Sequence, residues 1–211
     1  YNANDSSEVL KNINFDINKN DIVGIAGESG SGKSTLLNIL LGFLLPKKGF
    51  IYYNGKLINN DIDLIKSKAF YIPQDSFFID DTIEKNIALG KHETDIDKEL
   101  IISSIEKVGL KEFLLTQEKG TKTIIGENGV KISGGQKQRL SLARSFYHER
   151  DIVILDESTN ALDEKNEKRI MNEIKRLSSE KTFIIVSHQN TFLNICNKIL
   201  RIEDGRLNVE Y

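Results

Sequence analysis

The sequence holds one cysteine, two prolines, one methionine and no tryptophan in 211 residues. A single thiol, Cys196, closes no internal disulfide, which excludes a stapled secreted domain and suits a reducing compartment. Within FLNICNKIL it reads as an apolar helix residue. One cysteine and three histidines cannot build the usual structural zinc cages. With so few prolines, no low-complexity run and no internal repeat, nothing announces a domain boundary, and one compact unit is expected. Long apolar runs are missing too. The most apolar window, LLNILLGFLLP, is interrupted by Asn38 and Gly42 and is far shorter than the roughly 20 residues a bilayer requires. Neither sign of charge dominates: 29 basic against 31 acidic residues leave a net charge of -2, no footprint for nucleic acid or anionic lipid. No nucleic-acid partner is expected. No initiator methionine or signal peptide precedes Tyr1, so the chain is read as a piece of a longer protein.

What is present suffices for a globular core, at 39% hydrophobic residues. DIVGIA (21–26), AFYIPQ (69–74), DIVILD (151–156) and TFIIVSH (182–188) are continuous apolar runs of strand length, the pattern of a parallel sheet covered on both faces. IDKELIISSIEKVGLKEFLL has apolar residues at helical spacing, which makes residues 75–148 a mostly helical insert. VLKNINFDI and GFIYYNGKLI alternate instead, predicting an antiparallel flap near the N-terminus. The fold class expected is therefore α/β.

The chemistry concentrates at GESGSGKST, residues 27–35, between the first strand and a helix. Its pattern, glycine, four residues, glycine, lysine, serine or threonine, is that of a phosphate-binding loop. Gly27, Glu28, Ser29, Gly30, Ser31, Gly32, Lys33, Ser34 and Thr35 are the candidate nucleotide-binding residues. The glycines let consecutive backbone N–H groups converge and the helix N-terminus adds positive potential. Lys33 reaches the outer phosphates, and the Ser34 hydroxyl ligates magnesium. Asp156 ends a buried strand, where a carboxylate faces the metal, and Glu157 follows it. NKND at 18–21 matches a guanine-reading pattern but precedes the phosphate loop, and reads better as a turn. A small phosphate-loop kinase has no use for the second glycine loop, ISGGQ at 132–136.

In order along essentially the whole chain, GESGSGKST, YIPQD, ISGGQKQR, DIVILDE, STNALD and IVSH resemble the nucleotide-binding domain of ATP-binding cassette (ABC) proteins. The resemblance implies a phosphate-loop ATPase core with a parallel sheet, an antiparallel β subdomain and a helical subdomain. It implies one domain over residues 1–211, with 1–74 and 149–211 as catalytic core and 75–148 as the helical part bearing the signature loop. It also implies ATP and Mg²⁺ as cofactors, and a second copy of the domain as partner. Two copies would sandwich two ATP molecules head to tail, Ser133, Gly134, Gly135 and Gln136 of each serving the neighbour's nucleotide.

The remaining roles are carried over by matching motif. Gln74 corresponds to the glutamine expected to contact magnesium or the attacking water. Glu157 corresponds to the catalytic base, His188 to the switch histidine, Asp163 to the dimer-shaping aspartate, and Tyr1 to the aromatic stacked on adenine. Magnesium would be held by Ser34, Gln74 and Asp156. His92 and His148 match nothing and are expected to be solvated. TIIGENG, residues 123–129, resembles the exporter motif TxxGExG, with Glu127 touching a transport domain, and PQDSFFIDDTIEKNIALG likewise resembles exporters. This predicts a fused transmembrane domain absent from this chain, and a location at the cytoplasmic face of the inner (plasma) membrane with the domain itself in the cytosol. The tail RIEDGRLNVEY and the richness in Ile, Asn and Lys resemble bacterial flippases of lipid-linked oligosaccharide, the PglK type, while peptide, lipid or drug export stays open. A soluble ABC ATPase of the chromosome or repair type would carry a coiled-coil or zinc insertion, and a hydrolysis-dead module would have lost Glu157, His188 or the signature.

Overall fold

A computed structural model describes residues 8–59, 62–156, 164–187 and 190–211. The apolar runs pair as expected. Strands β1 (Ile22–Gly27), β4 (Ala69–Ile72), β5 (Ile152–Asp156), β6 (Thr182–Val186) and β7 (Lys198–Glu203) lie parallel, and β8 (Arg206–Glu210) adds to β7 antiparallel, in the order β4-β5-β6-β1-β7-β8. β8 can follow at once because Asp204 and Gly205 both take positive φ, 48° and 74°, the geometry of a two-residue hairpin turn.

Successive residues of a strand point to opposite faces, so each buried strand supplies two cores. Val153, Leu155, Phe183 and Ile185 join one core, while Ile154, Ile184 and Val186 join the other. The first core is roofed by α3 (Ile83–Ile87), α4 (Lys98–Lys107), α6 (Gly134–Tyr147) and α7 (Glu164–Leu177), through Ile83, Ile101, Ile105, Leu140 and Ile174. Helix α1 (Lys33–Leu40) seals the second with Leu36 and Leu37. Shorter helices α2 (Ile62–Lys68), α5 (Lys111–Leu115) and α8 (Asn190–Leu193) complete the set. Among the described residues no helix is long and apolar enough to cross a membrane.

The flap is smaller than its alternation predicts. The antiparallel pair is β2 (Tyr52–Tyr53) with β3 (Lys56–Leu57), closed by Asn54 and Gly55 at positive φ. Residues 8–20 hold no strand; Leu10, Ile13, Phe15 and Ile17 instead pack alternately against the second core, and Lys11 N–H donates to the Gly205 carbonyl. Alternation reported the burial correctly and the ladder wrongly: the segment packs its apolar side chains on the core while its Lys11 backbone bond goes to the β7–β8 turn. NKND is a turn, with Asp21 N–H donating to the Asn18 carbonyl and Asn18 N–H to the Asp21 carboxylate. Cys196 lies beyond α8 rather than in a helix, half-buried, and burial pushes its thiol up to about 12.

His148 is not the solvated residue expected. It is half-buried at the C-terminal end of α6, stacked on Phe70 of β4 and edge-on to Tyr147. Burial, then the positive charges of Arg150, Lys91 and Arg144, hold its imidazole below the ordinary value. His92 is exposed, as expected.

Candidate nucleotide-binding site

Strand register gathers the candidate residues at one edge of the sheet. Asp156 pairs with Val186, and Val186 with Ile25, so the C-terminal ends of β5, β6 and β1 stand level. Ile72, paired with Leu155, brings Gln74 to the same edge. Such an edge is where α/β sheets bind ligands.

Between β1 and α1 the loop turns on glycines. Gly27, Gly30 and Gly32 have φ of 147°, 81° and 113°. A Cβ on Gly27 would collide with the Ile202 carbonyl oxygen and lie 2.7 Å from Ser31 Oγ, so β7 and the loop approach too closely for any side chain. Lys33 folds back over the loop, its Nζ donating to the carbonyls of Gly27 at 2.8 Å and Glu28 at 2.7 Å. At the start of α1, Gly32 occupies the N-cap with no side-chain hydrogen bond. A glycine at this position brings no side-chain acceptor to the first turn, and a helix N-terminus of that kind suits an anion. Ser31 Oγ is buried without a partner among the described residues. Glu28, Ser29, Gly30 and Ser34 are exposed, and a cleft of about 850 Å³ borders the loop on its β7 side, lined also by Ser187, Arg201 and Glu203. An orphaned hydroxyl, an uncapped helix end and a lysine over a glycine cradle fit a polyphosphate.

Asp156 is the last residue of β5 and is half-buried. Tyr71 on β4 donates its hydroxyl to Asp156 Oδ2 at 2.8 Å. Burial, then the Asp156 carboxylate, hold the Tyr71 phenol well above its ordinary value, so it stays a donor. No cluster of three or more His, Cys, Asp or Glu occurs among the described residues. A lone carboxylate and the Ser34 hydroxyl are the hard oxygen set that suits magnesium carried by phosphates and water.

The signature loop is built differently. Ser133 caps α6, its Oγ accepting from Gln136 N–H at 3.3 Å while Gln136 Oε1 accepts from Ser133 N–H at 2.8 Å, a complete capping box. Ser133 and Gly134 are exposed. Farther along α6, Arg144 is buried and donates to the Asn86 carbonyl at 2.8 Å and the Phe77 carbonyl at 2.8 Å, its guanidinium 4.4 Å from the Phe78 ring centroid. Burial lowers its pKa to about 10. Asn86 in turn donates to the carbonyls of Ile79 and Thr82, and Asn128 N–H, in the segment of Glu127, donates to the Phe78 carbonyl. Sequence reading passed over Tyr71, Asn86 and Arg144. A signal existed for two: LARSFY and KNIAL each set a polar residue inside an apolar helical face. Tyr1, Glu157, Asp163 and His188 lie outside the described residues.

Residues 10–160 match the family described as ABC transporter. The chain belongs to that family. This ABC domain is 36% identical over 201 residues to a probable ABC transporter ATP-binding/permease protein of Haemophilus influenzae, covering 95% of the chain and 36% of the relative. It is 35% identical over 204 residues to an ATP-dependent lipid A-core flippase of Idiomarina loihiensis, covering 96% of the chain and 35% of that protein. Among solved structures, a bacterial Atm1-family ABC exporter with ATP bound superposes with a TM-score of 0.80 at 31% identity, covering 95% of the chain and 35% of the exporter. The ABC domain thus spans about a third of the length of the relatives it matches.

Proposed function

We propose that this ABC domain binds and hydrolyses ATP to power an exporter, within a protein whose other part spans the membrane. The carrying observation is the level edge at which a glycine-cradled helix N-terminus and Asp156 stand on either side of the end of β6. Backbone N–H groups of the loop and Lys33 hold the phosphates, while Ser34, Gln74 and Asp156 hold magnesium. Bound there, magnesium neutralises charge on the outer phosphate oxygens. Glu157 takes the proton of the attacking water and His188 steadies the transferring phosphoryl group. Tyr1 stacks on the adenine. Residues 75–148 act as the helical part that carries the signature, and 1–74 with 149–211 as the core.

The partner is a second copy of the domain. The start of α6 is exposed and carries positive helix potential, which supports Ser133 to Gln136 serving a neighbour's γ-phosphate with Asp163 shaping the contact. ATP then closes the pair and hydrolysis reopens it. Phe77, Ile124 and Val130 are exposed apolar residues beside Glu127 and offer contact to the membrane part, at the cytoplasmic face of the inner membrane. The cargo put forward is lipid-linked oligosaccharide, on the sequence resemblance to PglK-type flippases. A lipid A-core flippase among the relatives supports a lipid-anchored cargo, while a relative in Staphylococcus aureus named for multidrug export, 37% identical over 208 residues, supports drug export as the second reading. Flipping of fluorescent lipid-linked oligosaccharide by the full-length protein in proteoliposomes tests the lipid cargo, and ATP-dependent transport of peptides or drugs with no flipping would replace it.

A mixed dimer tests the trans arrangement. Full-length Lys33→Ala and Ser133→Arg homodimers should each fail to occlude ATP. Combined, the two defects fall in one site and leave the other intact, so vanadate-trapped nucleotide should return to about half the parent level. No recovery, with heterodimers verified, would show that each chain uses its own signature.

A further inference from the structure

A tyrosine on the strand leading to Gln74 touches the candidate metal carboxylate, and none of the roles above accounts for it. Tyr71 pairs with Ile154 across the β4–β5 ladder. Side chains two residues apart on a strand share a face, so Tyr71, Ile154 and Asp156 lie on the same side of the sheet. The ring packs against the second core and reaches one pleat forward, placing Oη 2.8 Å from Asp156 Oδ2. That is the only hydrogen bond to the Asp156 side chain among the described residues, and no ion pair joins it. Oδ1 carries none.

The opposite end of β5 supplies the contrast. Asp151, just before the strand, accepts from Tyr53 Oη at 3.1 Å but also pairs with Lys68 Nζ at 3.2 Å. Burial acts to raise the Asp151 pKa, yet Lys68 and Tyr53 outweigh it and hold the carboxyl below its ordinary value. There the carboxylate is met by a cation, Lys68 at the end of α2. Asp156 receives instead one neutral donor on one oxygen, which fixes the carboxylate's rotation without consuming its charge.

We propose that Tyr71 is a positioning residue for Asp156, holding Oδ2 so that Oδ1 is presented to nucleotide-bound magnesium. This rests on the assignment of Asp156 as a metal-holding residue. Partners that orient a ligating carboxylate set the affinity of the site for its metal. Because Tyr71 stands three residues before Gln74 on a strand hydrogen-bonded to β5, displacement of the Gln74 segment is also felt at the carboxylate.

The test compares full-length parent, Tyr71→Phe and Asp156→Asn, each in excess over the non-hydrolysed analogue AMP-PNP. Mn²⁺ half-saturation is read by electron paramagnetic resonance, and AMP-PNP affinity is measured separately in a chelator. Tyr71→Phe keeps the packed ring and removes only the hydroxyl. It should raise the Mn²⁺ half-saturation about 10-fold, with metal-free AMP-PNP affinity held within about twofold. An unchanged half-saturation in Tyr71→Phe, alongside a shift in Asp156→Asn, overturns the role of Tyr71 and leaves Asp156 its own. Equal losses of metal-free and metal-bound affinity reduce Tyr71 to packing. No shift in Asp156→Asn removes the metal assignment beneath the proposal.

Discussion

Two helices of this domain begin at glycine-rich loops, and their first turns are finished in opposite ways. Helix α1 starts from Gly32, left-handed and without a side-chain cap. Helix α6 starts from Ser133, whose hydroxyl and Gln136 amide close a reciprocal box. An N-terminus with glycine at the N-cap has no side-chain acceptor for its first turn, and suits an anion. A capped one is complete alone, and can be approached, left and approached again without disturbing its helix. The first suits a nucleotide held by its own chain, the second a surface that meets a phosphate only when a partner arrives. Ser133 accepts through Oγ in the box, which leaves its hydroxyl proton to donate.

The largest expected effect leaves both helix ends untouched. Glu157→Gln should lower turnover about 10² to 10⁴-fold, the usual contribution of a general base. ATP binding should persist and a closed dimer accumulate, as seen by size-exclusion chromatography with ATP; parent-like hydrolysis would remove Glu157 from the mechanism. Next comes the open end. Lys33→Ala should weaken ATP binding by a factor of about 30 or more, from roughly 2–5 kcal/mol for truncating one member of a buried charge pair. Ser133→Ala should leave ATP affinity of the undimerised protein near the parent value, and calorimetry that finds equal losses at the two ends would erase the distinction between them.

The capped end can be divided further. Ser133→Ala removes the cap and should cost about 1 kcal/mol of stability. Ser133→Asp restores a capping oxygen but faces the γ-phosphate with negative charge, so thermal stability should return while vanadate trapping does not. Recovery of both would mean that Ser133 serves only its helix. The smallest effect lies at the other end of α6. His148 is held below its ordinary value, so the folded protein binds that proton less tightly than the unfolded chain. Its contribution is full above the ordinary value near pH 6.5 and is lost as pH falls through it. His148→Phe, which keeps a ring against Phe70, should flatten the decline in melting temperature between about pH 7.5 and 5.5; an unchanged slope assigns the decline to other groups.

Much of the fold was legible because the buried strands are continuous apolar runs, as in DIVILD, and because the phosphate loop is defined by spacing. The capping box, too, stands in the sequence as SGGQ, serine and glutamine at the required distance. Tyr71 was not legible. Its partner is 85 residues away and met only through the ladder between β4 and β5. His148 misled for a similar reason, since HER reads as surface until the fold brings Phe70 of β4 against it.

Arg144 has a mechanical meaning. By gripping the carbonyls of both Phe77 and Asn86 it welds the helix that bears the signature to the backbone that follows Gln74, and Asn86 clamps the loop between them. Parts so joined turn together. Bending between this block and the sheet would concentrate in the two short connections that cross, residues 73–76 and 148–151. Amide hydrogens of residues 78–87 and 137–147 would then exchange as one cooperative unit, slower than those of either connection. A displacement imposed on Phe77 from outside would pass through Arg144 into the helix that begins at Ser133.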